Sequence, residues 1–438
     1  MTATRNDTRF VSVAPKLGFV GPFDGFRGVG VLVAMWIHAV PHSIESWGAV
    51  VDMFFMLSAF LIVTLLLQES RTNGTINLKK FFIRRAVRLL PSVWLFCSIW
   101  LVIGAVGQAL GIKGVRFIEI AKDVGAAVTY LYHVIFPTGL FILHPTAQNH
   151  RVMWHLWTLG VEEHFYLIIA PLVIVCVARR WIKQLGVLMG ILFVTIGVMR
   201  WMAFTGPVMS PSAIPGVRLA FIQRPDVLML GVLLAVLNAH FTVEKAERWR
   251  KPLTAIGSVA FGAWLIINSL SCEWLQKLGL PYVPFLPQHS DPFTRHQMLR
   301  HMYWFRFGHT LGAIAFACVT ICLVRYSDWW LSRLMSWQPA RWTGRMSYTL
   351  YIWHALPYLI LIKLTGEGYP NVSHAFEVIR VPFLFAVTFA IAIPVFYKVE
   401  QPALALKNRF ATDKDSLDLR TAGTKRKKGE GGSPGANE

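Results

Sequence analysis

Apolar runs of about 20 residues, the length that crosses a bilayer, recur along the whole chain between short and mostly basic polar blocks. About ten such spans can be read, near 28–43, 49–67, 91–110, 158–177, 185–203, 225–241, 253–271, 307–324, 346–363 and 378–397. The pattern predicts an all-α integral membrane protein, a bundle of about ten transmembrane helices. One further segment, AAVTYLYHVIFPTGLFIL (126–143), is apolar enough to span. Whether it does is decided by charge.

With the N-terminus in the cytoplasm, the inner segments hold Arg71, Lys79, Lys80, Arg84, Arg85 and Arg88, then Arg179, Arg180 and Lys183, then Lys245 to Lys251, then Arg325 to Arg345. The outer loops PHSIESW and TGEGYPNVSHAFE contain no Lys or Arg. That bias favours both termini inside, in the plasma (inner) membrane. A crossing at 126–143 would turn the later arginine blocks outward, so that segment is expected to be re-entrant or packed on the outer surface. Three regions follow: a cytoplasmic segment at 1–20, a membrane domain at 21–405, and a basic tail at 406–438. The tail ends KRKKGEGGSPGANE and is expected to be disordered, because it has too little apolar surface to bury.

Composition narrows the class. The 438 residues are 55% hydrophobic and 15% charged, which is too apolar for a soluble chain of this size. The net charge of +20 lies in blocks between spans, with no nucleic-acid motif, so nucleic acid is not an expected partner. Five cysteines, four of them within spans, give no disulfide framework or paired zinc motif. The polar start MTATRNDTRF is no cleavable signal peptide.

Ionisable groups inside the spans are the candidate chemistry, since lipid rejects them unless they face a partner or a cavity. In DGFRGVGVLVAMWIHAV, Arg27 and His38 are eleven residues apart. They share one helix face and lie about 16 Å apart along the axis. With Arg27 at the inner boundary, His38 falls near the middle of the membrane, and Asp24 sits one turn before Arg27. Taken singly, Arg27 reads equally as a snorkelling anchor and His38 as an interhelical hydrogen bond. Together they favour a polar cavity opening at the cytoplasm. In MWHLWTLGVEEHFYLIIAP, Glu162 and Glu163 lie within a span, with His155 and Tyr166 on the face of Glu162. Carboxylates beside histidines suit proton transfer. His150, His155 and His164 raise the question of zinc, but no tight ligand spacing is present and no metal is expected. RRAVRLLPSVW supplies Arg84, Arg85 and Arg88, either a lipid-phosphate contact or a seat for a phosphorylated donor. GRMSYTLYIWH carries Ser347, Tyr348 and His354, and QRPD carries Arg224 and Asp226.

These stretches, with VDMFFMLSAFLI (containing Ser58) and VEQP, occur in an order that resembles the acyltransferase 3 family of integral membrane enzymes, over about residues 20–405. The opening arginine, ten residues and histidine look like that family's first motif. Ala59 stands where the family usually has Gly, and His164 where it usually has Gln. The resemblance implies transfer of an acyl group, most often acetyl, from cytoplasmic acyl-CoA to a hydroxyl of an extracytoplasmic glycan or glycolipid of the envelope. His38, Glu162 and Glu163 would be the catalytic groups, with His38 a base or an acyl carrier and a glutamate orienting it or balancing its charge. Arg27, Arg84, Arg85 and Arg88 would bind the donor. Asp24, Ser58, His155, Tyr166, Arg224, Asp226, Ser347, Tyr348 and His354 would support them. The SGNH-type esterase domain that many members carry is not read in these residues, which leaves open a separate acyl-transfer partner. The rival reading is a proton-coupled transporter or flippase of an envelope precursor, which intramembrane Arg, His and Glu would also suit.

Overall fold

A computed structural model describes residues 12–40, 43–112, 114–136, 151–205, 224–283, 303–365 and 374–407. Most of the expected tail, the N-terminal residues 1–11 and parts of the long expected loops, including Gln223 and His150, lie outside the described residues. Among the described residues the protein is all-α; the strand-like contact there is an isolated bridge between Ile44 and Cys272.

The first helix, α1 (Gly21–Ala39), starts where Pro22 presets the backbone and Asp24 meets the positive end of the helix dipole. It ends two residues before Pro41. The helix therefore begins seven residues before the expected span and ends four before its expected end. Arg27 lies more than a turn inside it, and His38 lies in its last turn. Next is α2 (Val50–Asn73), closed by Gly74 in the left-handed region at φ 73°, whose N–H bonds the Ser70 carbonyl. The third helix, α3 (Leu78–Ala109), is capped by the Asn77 side chain, which accepts from the Lys80 N–H. It starts well before the span expected at 91, so Arg84, Arg85 and Arg88 are helical positions rather than a loop.

The segment at 126–143 splits in its described part. α4 (Phe117–Val128) ends, Tyr130 turns at φ 58°, and a single turn covers Tyr132–Ile135. No continuous helix runs through 126–136, and residues 137–143 lie outside the described residues. The chain continues with α5 (Trp157–Arg179), α6 (Ile182–Thr205), α7 (Pro225–Ala239), α8 (Arg250–Ser269) and α9 (Tyr303–Arg325). After a short helix at Trp330–Met335 come α10 (Gln338–Arg345), α11 (Ser347–Trp353), α12 (Ala355–Thr365) and α13 (His374–Val395). A π-helical turn at Phe396–Glu400 prolongs the last.

Each expected span coincides with a helix or a broken helix pair. Among the described residues seven segments are long and apolar enough to cross a membrane, those containing α2, α3, α5, α6, α8, α9 and α13. The other three expected spans fall short for visible reasons. α1 carries Asp24, Arg27 and His38, α7 has 15 residues, and the span at 346–363 breaks at His354. Pro357 sits in the first turn of α12 and cannot donate to the Trp353 carbonyl, which breaks the ladder there. The outward face is apolar, with Val102, Val187, Ile191, Val259 and Ile266 at least half exposed, as lipid contact requires. α2 is the most enclosed of the seven segments and α8 the least.

Glycine sets the position of α1. Gly25 lies against the Met335 carbonyl, Gly28 against the Ala340 carbonyl, and Gly344 against the Asp24 carbonyl. A Cβ at any of the three would overlap a backbone oxygen, so α1 touches α10 and, at Gly25, the end of the preceding short helix (Trp330–Met335) backbone to backbone. Replacing Gly344 by Val should therefore cost about 1–3 kcal/mol or more through overpacking. Thermal unfolding in detergent reads this directly, and a midpoint within a degree of wild type would show that the close crossing is not needed.

Candidate functional site

Among the described residues the expected site residues fall in three buried polar clusters. The first is a row of histidine rings at the far end of α1. His38 Nδ1 is 2.7 Å from His354 Nε2, and His354 Nδ1 is 2.6 Å from the Tyr351 carbonyl. His155 sits in a 3-10 turn just before α5, and its Nε2 is 3.0 Å from the Ile352 carbonyl. Its ring stands edge-on to His354 with centroids 5.0 Å apart. Trp154 closes on His38 edge-on, at 4.6 Å. His155 and His354 are buried, whereas His38 is half-buried and is the accessible member. Tyr351 donates to the His155 carbonyl at 2.5 Å and accepts from the Thr158 hydroxyl at 2.8 Å, which ties α11 to α5. Beside this cluster Arg380 of α13 reaches the Ala39 carbonyl, a cation at the negative end of the α1 dipole.

The second cluster surrounds Arg27. Arg88 and Glu162 lie within its electrostatic reach, with Asp24 and Tyr166 close by. Arg85 bonds Glu163 at 2.5 Å, and its guanidinium lies 3.6 Å from the centre of the Tyr166 ring. The Tyr166 hydroxyl is hydrogen-bonded to Ser58. Tyr348 donates to the Leu89 carbonyl at 2.8 Å, which holds α11 against α3. Arg84 turns away to Glu69, at 3.2 Å. Among the described residues Arg27 and Arg88 make no ion pair within 4 Å, and Arg88 Nε is buried without a hydrogen-bond partner. Three guanidinium groups thus converge on three carboxylates, Asp24, Glu162 and Glu163, and only Arg85 of the three arginines is bound to one of them at ion-pair distance among the described residues.

The third cluster is an internal ion network. Arg224, held at φ 45° at the start of α7, pairs with Asp52 at 3.0 Å and lies 5.3 Å from the Trp157 ring. Asp52 also meets His309 Nδ1 at 2.7 Å. Asp226 pairs with Arg200 at 2.5 Å, both side chains fully buried, and Arg200 also donates to Thr310 at 3.1 Å.

The expected residues are therefore divided among separate sites. His38, His155 and His354 come together. Arg27, Arg85, Arg88, Glu162, Glu163, Tyr166 and Ser58 form a second group with Asp24 and Tyr348. Arg224 and Asp226 belong to the third. Ser347 opens α11, half-buried. Among the described residues no carboxylate hydrogen-bonds His38; the ring nitrogen that meets it is His354 Nε2, and the two glutamates face arginines instead. Sequence reasoning passed over Asp52, Arg200, His309 and Arg380, although each lies inside an expected span, where an ionisable group is itself a signal. It also passed over Tyr351 as a carbonyl acceptor. Among the described residues no group of three or more His, Cys, Asp or Glu is arranged to hold a metal ion.

The profile of the family described as "Acyltransferase domain" matches residues 22–397. Similar curated proteins include one provisionally named O-acetyltransferase, from Staphylococcus aureus (strain COL). It is 26% identical over 363 residues, covering 80% of this chain and 52% of that protein. Peptidoglycan O-acetyltransferase OatA of Listeria monocytogenes is 25% identical over 375 residues, covering 84% of this chain and 54% of that protein. The chain spans about half the length of the curated relatives it matches. No solved structure matches it.

The third cluster yields a stability prediction. Asp226→Ala strands the fully buried Arg200 charge and should destabilise the protein by about 3–5 kcal/mol. Arg200→Met combined with Asp226→Leu removes both charges and should recover much of that loss. Unfolding of the three variants in detergent decides it; a double variant no more stable than Asp226→Ala would contradict a paired-charge origin.

Proposed function

The chain belongs to the acyltransferase 3 family, and we propose that it transfers an acyl group, most often acetyl, from acyl-CoA on the cytoplasmic side to a hydroxyl of an extracytoplasmic envelope glycan. The observation that carries this reading is the pair of unlike poles on α1. Around Arg27 the bundle gathers three guanidinium groups, of which Arg27 and Arg88 make no ion pair within 4 Å among the described residues. About 16 Å along the same helix, from the rise per residue, His38 presents a partly exposed imidazole. A donor with phosphates at one end and a thioester at the tip of a long arm has the same two chemistries in the same order.

Arg27 and Arg88 bind donor phosphate, since neither is committed to an ion pair among the described residues. Charge-assisted contacts to phosphate are strong and orienting. Arg85, with Glu163 on one side and Tyr166 beneath it, holds the shape of that seat. Glu162 balances the arginine charge when the donor is absent. His38 acts as the general base. The acceptor hydroxyl gives its proton to a ring nitrogen of His38 as its oxygen attacks the thioester carbonyl carbon. The new C–O bond forms, the C–S bond breaks, and the imidazolium returns the proton to the departing sulfur. Products are the ester and free coenzyme A, and the base is regenerated. The choice of an envelope glycan follows the name of the Listeria relative, which specifies peptidoglycan. Both termini are assigned to the cytoplasm by the distribution of basic residues.

His38→Ala should lower acyl transfer by about 10²-fold or more, the usual cost of losing a general base, while the protein still inserts. The assay is labelled acetyl-CoA with glycan acceptors and purified protein in detergent. Activity above a tenth of wild type would remove His38 from the chemistry. Arg27→Ala and Arg88→Ala should each raise the apparent KM for acetyl-CoA by about tenfold or more, from the 1.5–3 kcal/mol of a charge-assisted bond. Arg84→Ala, whose guanidinium serves Glu69, should leave that KM near wild type. Equal effects of all three would mean that this seat does not hold the donor.

A further inference from the structure

We propose that His354 is a positioning residue that fixes His38 in one tautomer, with Nδ1 protonated and Nε2 carrying the free lone pair. The proposal rests on the reading of His38 as general base and assigns the atom that does the work.

The assignment follows from which groups can donate. A backbone carbonyl only accepts, so His354 Nδ1, 2.6 Å from the Tyr351 carbonyl, carries a proton. A neutral imidazole has a single N–H, so His354 Nε2 is left as an acceptor. That nitrogen lies 2.7 Å from His38 Nδ1, which must then donate. The ring planes are 14° apart with centroids at 4.8 Å, much farther than the nitrogens. The rings therefore meet edge to edge through these two atoms. The chain of donors runs from His38 through His354 to Tyr351. It leaves His38 Nε2 as the basic nitrogen, on the one ring of the three that is not buried.

The local fold explains why His354 cannot turn. The helix breaks at this residue, between α11 and α12, and the final carbonyls of a helix are without intrahelical donors. Two carbonyls of that last turn do the fixing. Tyr351 takes the His354 proton, and Ile352 takes the Nε2 proton of His155. His155 is thereby held too, and it packs edge-on against His354. His354 is 5% exposed and His155 is fully buried, so no water competes for these bonds. When His38 Nε2 takes the acceptor's proton, Nδ1–H still points at the His354 lone pair, which stabilises the imidazolium. When the proton passes on to sulfur, the same bond restores the starting tautomer.

Three measurements test the assignment. His354→Leu removes the acceptor and should lower kcat at saturating acetyl-CoA by about tenfold or more, while the KM for acetyl-CoA stays within about twofold, because the arginine seat is untouched. His354→Gln can place an amide oxygen near the lost nitrogen and an N–H₂ toward the Tyr351 carbonyl, and should recover most of kcat. In nitrogen-15 spectra of histidine-labelled wild-type protein, the His38 signals are those absent from His38→Ala. Of these, Nε2 should resonate as the unprotonated nitrogen. Wild-type kcat in His354→Leu, a His354→Gln variant no better than His354→Leu, or an unprotonated Nδ1 in His38 would each overturn the assignment. A wild-type protein that transfers no acyl group to any hydroxyl acceptor would overturn the general-base reading instead, and the spectra of the resting protein would still decide the tautomer.

Discussion

The backbone contact between α1 and α10 is the constraint on which the rest depends. Gly28 and Gly344 let the two helices meet with no side chain between them, and Gly25 does the same against Met335 just before α10. α10 runs directly into α11, and α11 ends at His354. Fixing α10 against the first half of α1 therefore also fixes where α11 delivers His354 relative to the last turn of α1. A 2.7 Å contact between side chains 316 residues apart in sequence tolerates little error in that placement. Arg380 holds the other side by bonding the final carbonyl of α1. The histidine pair is thus set by packing at both ends of a short helix rather than by any property of its immediate neighbours.

Buried charge then divides the bundle by purpose. In the third cluster every charge has a close opposite: Arg200 with Asp226, and Arg224 with Asp52, which also holds His309. Such a network pairs its charges at close range, which is the behaviour of a structural core. Around Arg27 the balance is different. Arg27 and Arg88 make no ion pair within 4 Å among the described residues, and Arg88 Nε is buried without a hydrogen-bond partner. A guanidinium inside an apolar bundle with no carboxylate at ion-pair distance is costly unless something anionic arrives. That contrast, more than the presence of arginine, separates a seat from a strut.

The helices were legible because lipid imposes length and hydropathy on them. Their ends were less so. α3 begins near residue 78, where the sequence reads Lys, Lys, Arg, Arg; a hydropathy scan treats those residues as the end of a span. Lys and Arg are nevertheless good helix formers, and Asn77 supplies the cap. The break at His354 left no hydropathy signal, and only Pro357 marked it. Within the site, Arg27 and His38 could be placed on one face from spacing alone, because both lie on one helix. Which of Arg84, Arg85 and Arg88 was engaged could not, since their partners, Glu69 and Glu163, come from other helices. The glutamates were expected beside His38 for the same reason: sequence gave their depth in the membrane but not the face they meet.

The position of α1 in the bundle follows from its composition. It is too polar to stand alone in lipid. Val29 and Trp36, seven residues apart, form its outward stripe, while Arg27 and His38 lie toward α2, α10 and α11. A helix is stiff over its 19 residues, so the two polar groups keep a fixed separation and a fixed angle. A loop could bring an arginine and a histidine equally close, but it would not keep the gap between them constant. If a donor is bound at one end and reacts at the other, as proposed, that constancy would place the reacting carbon within reach of His38.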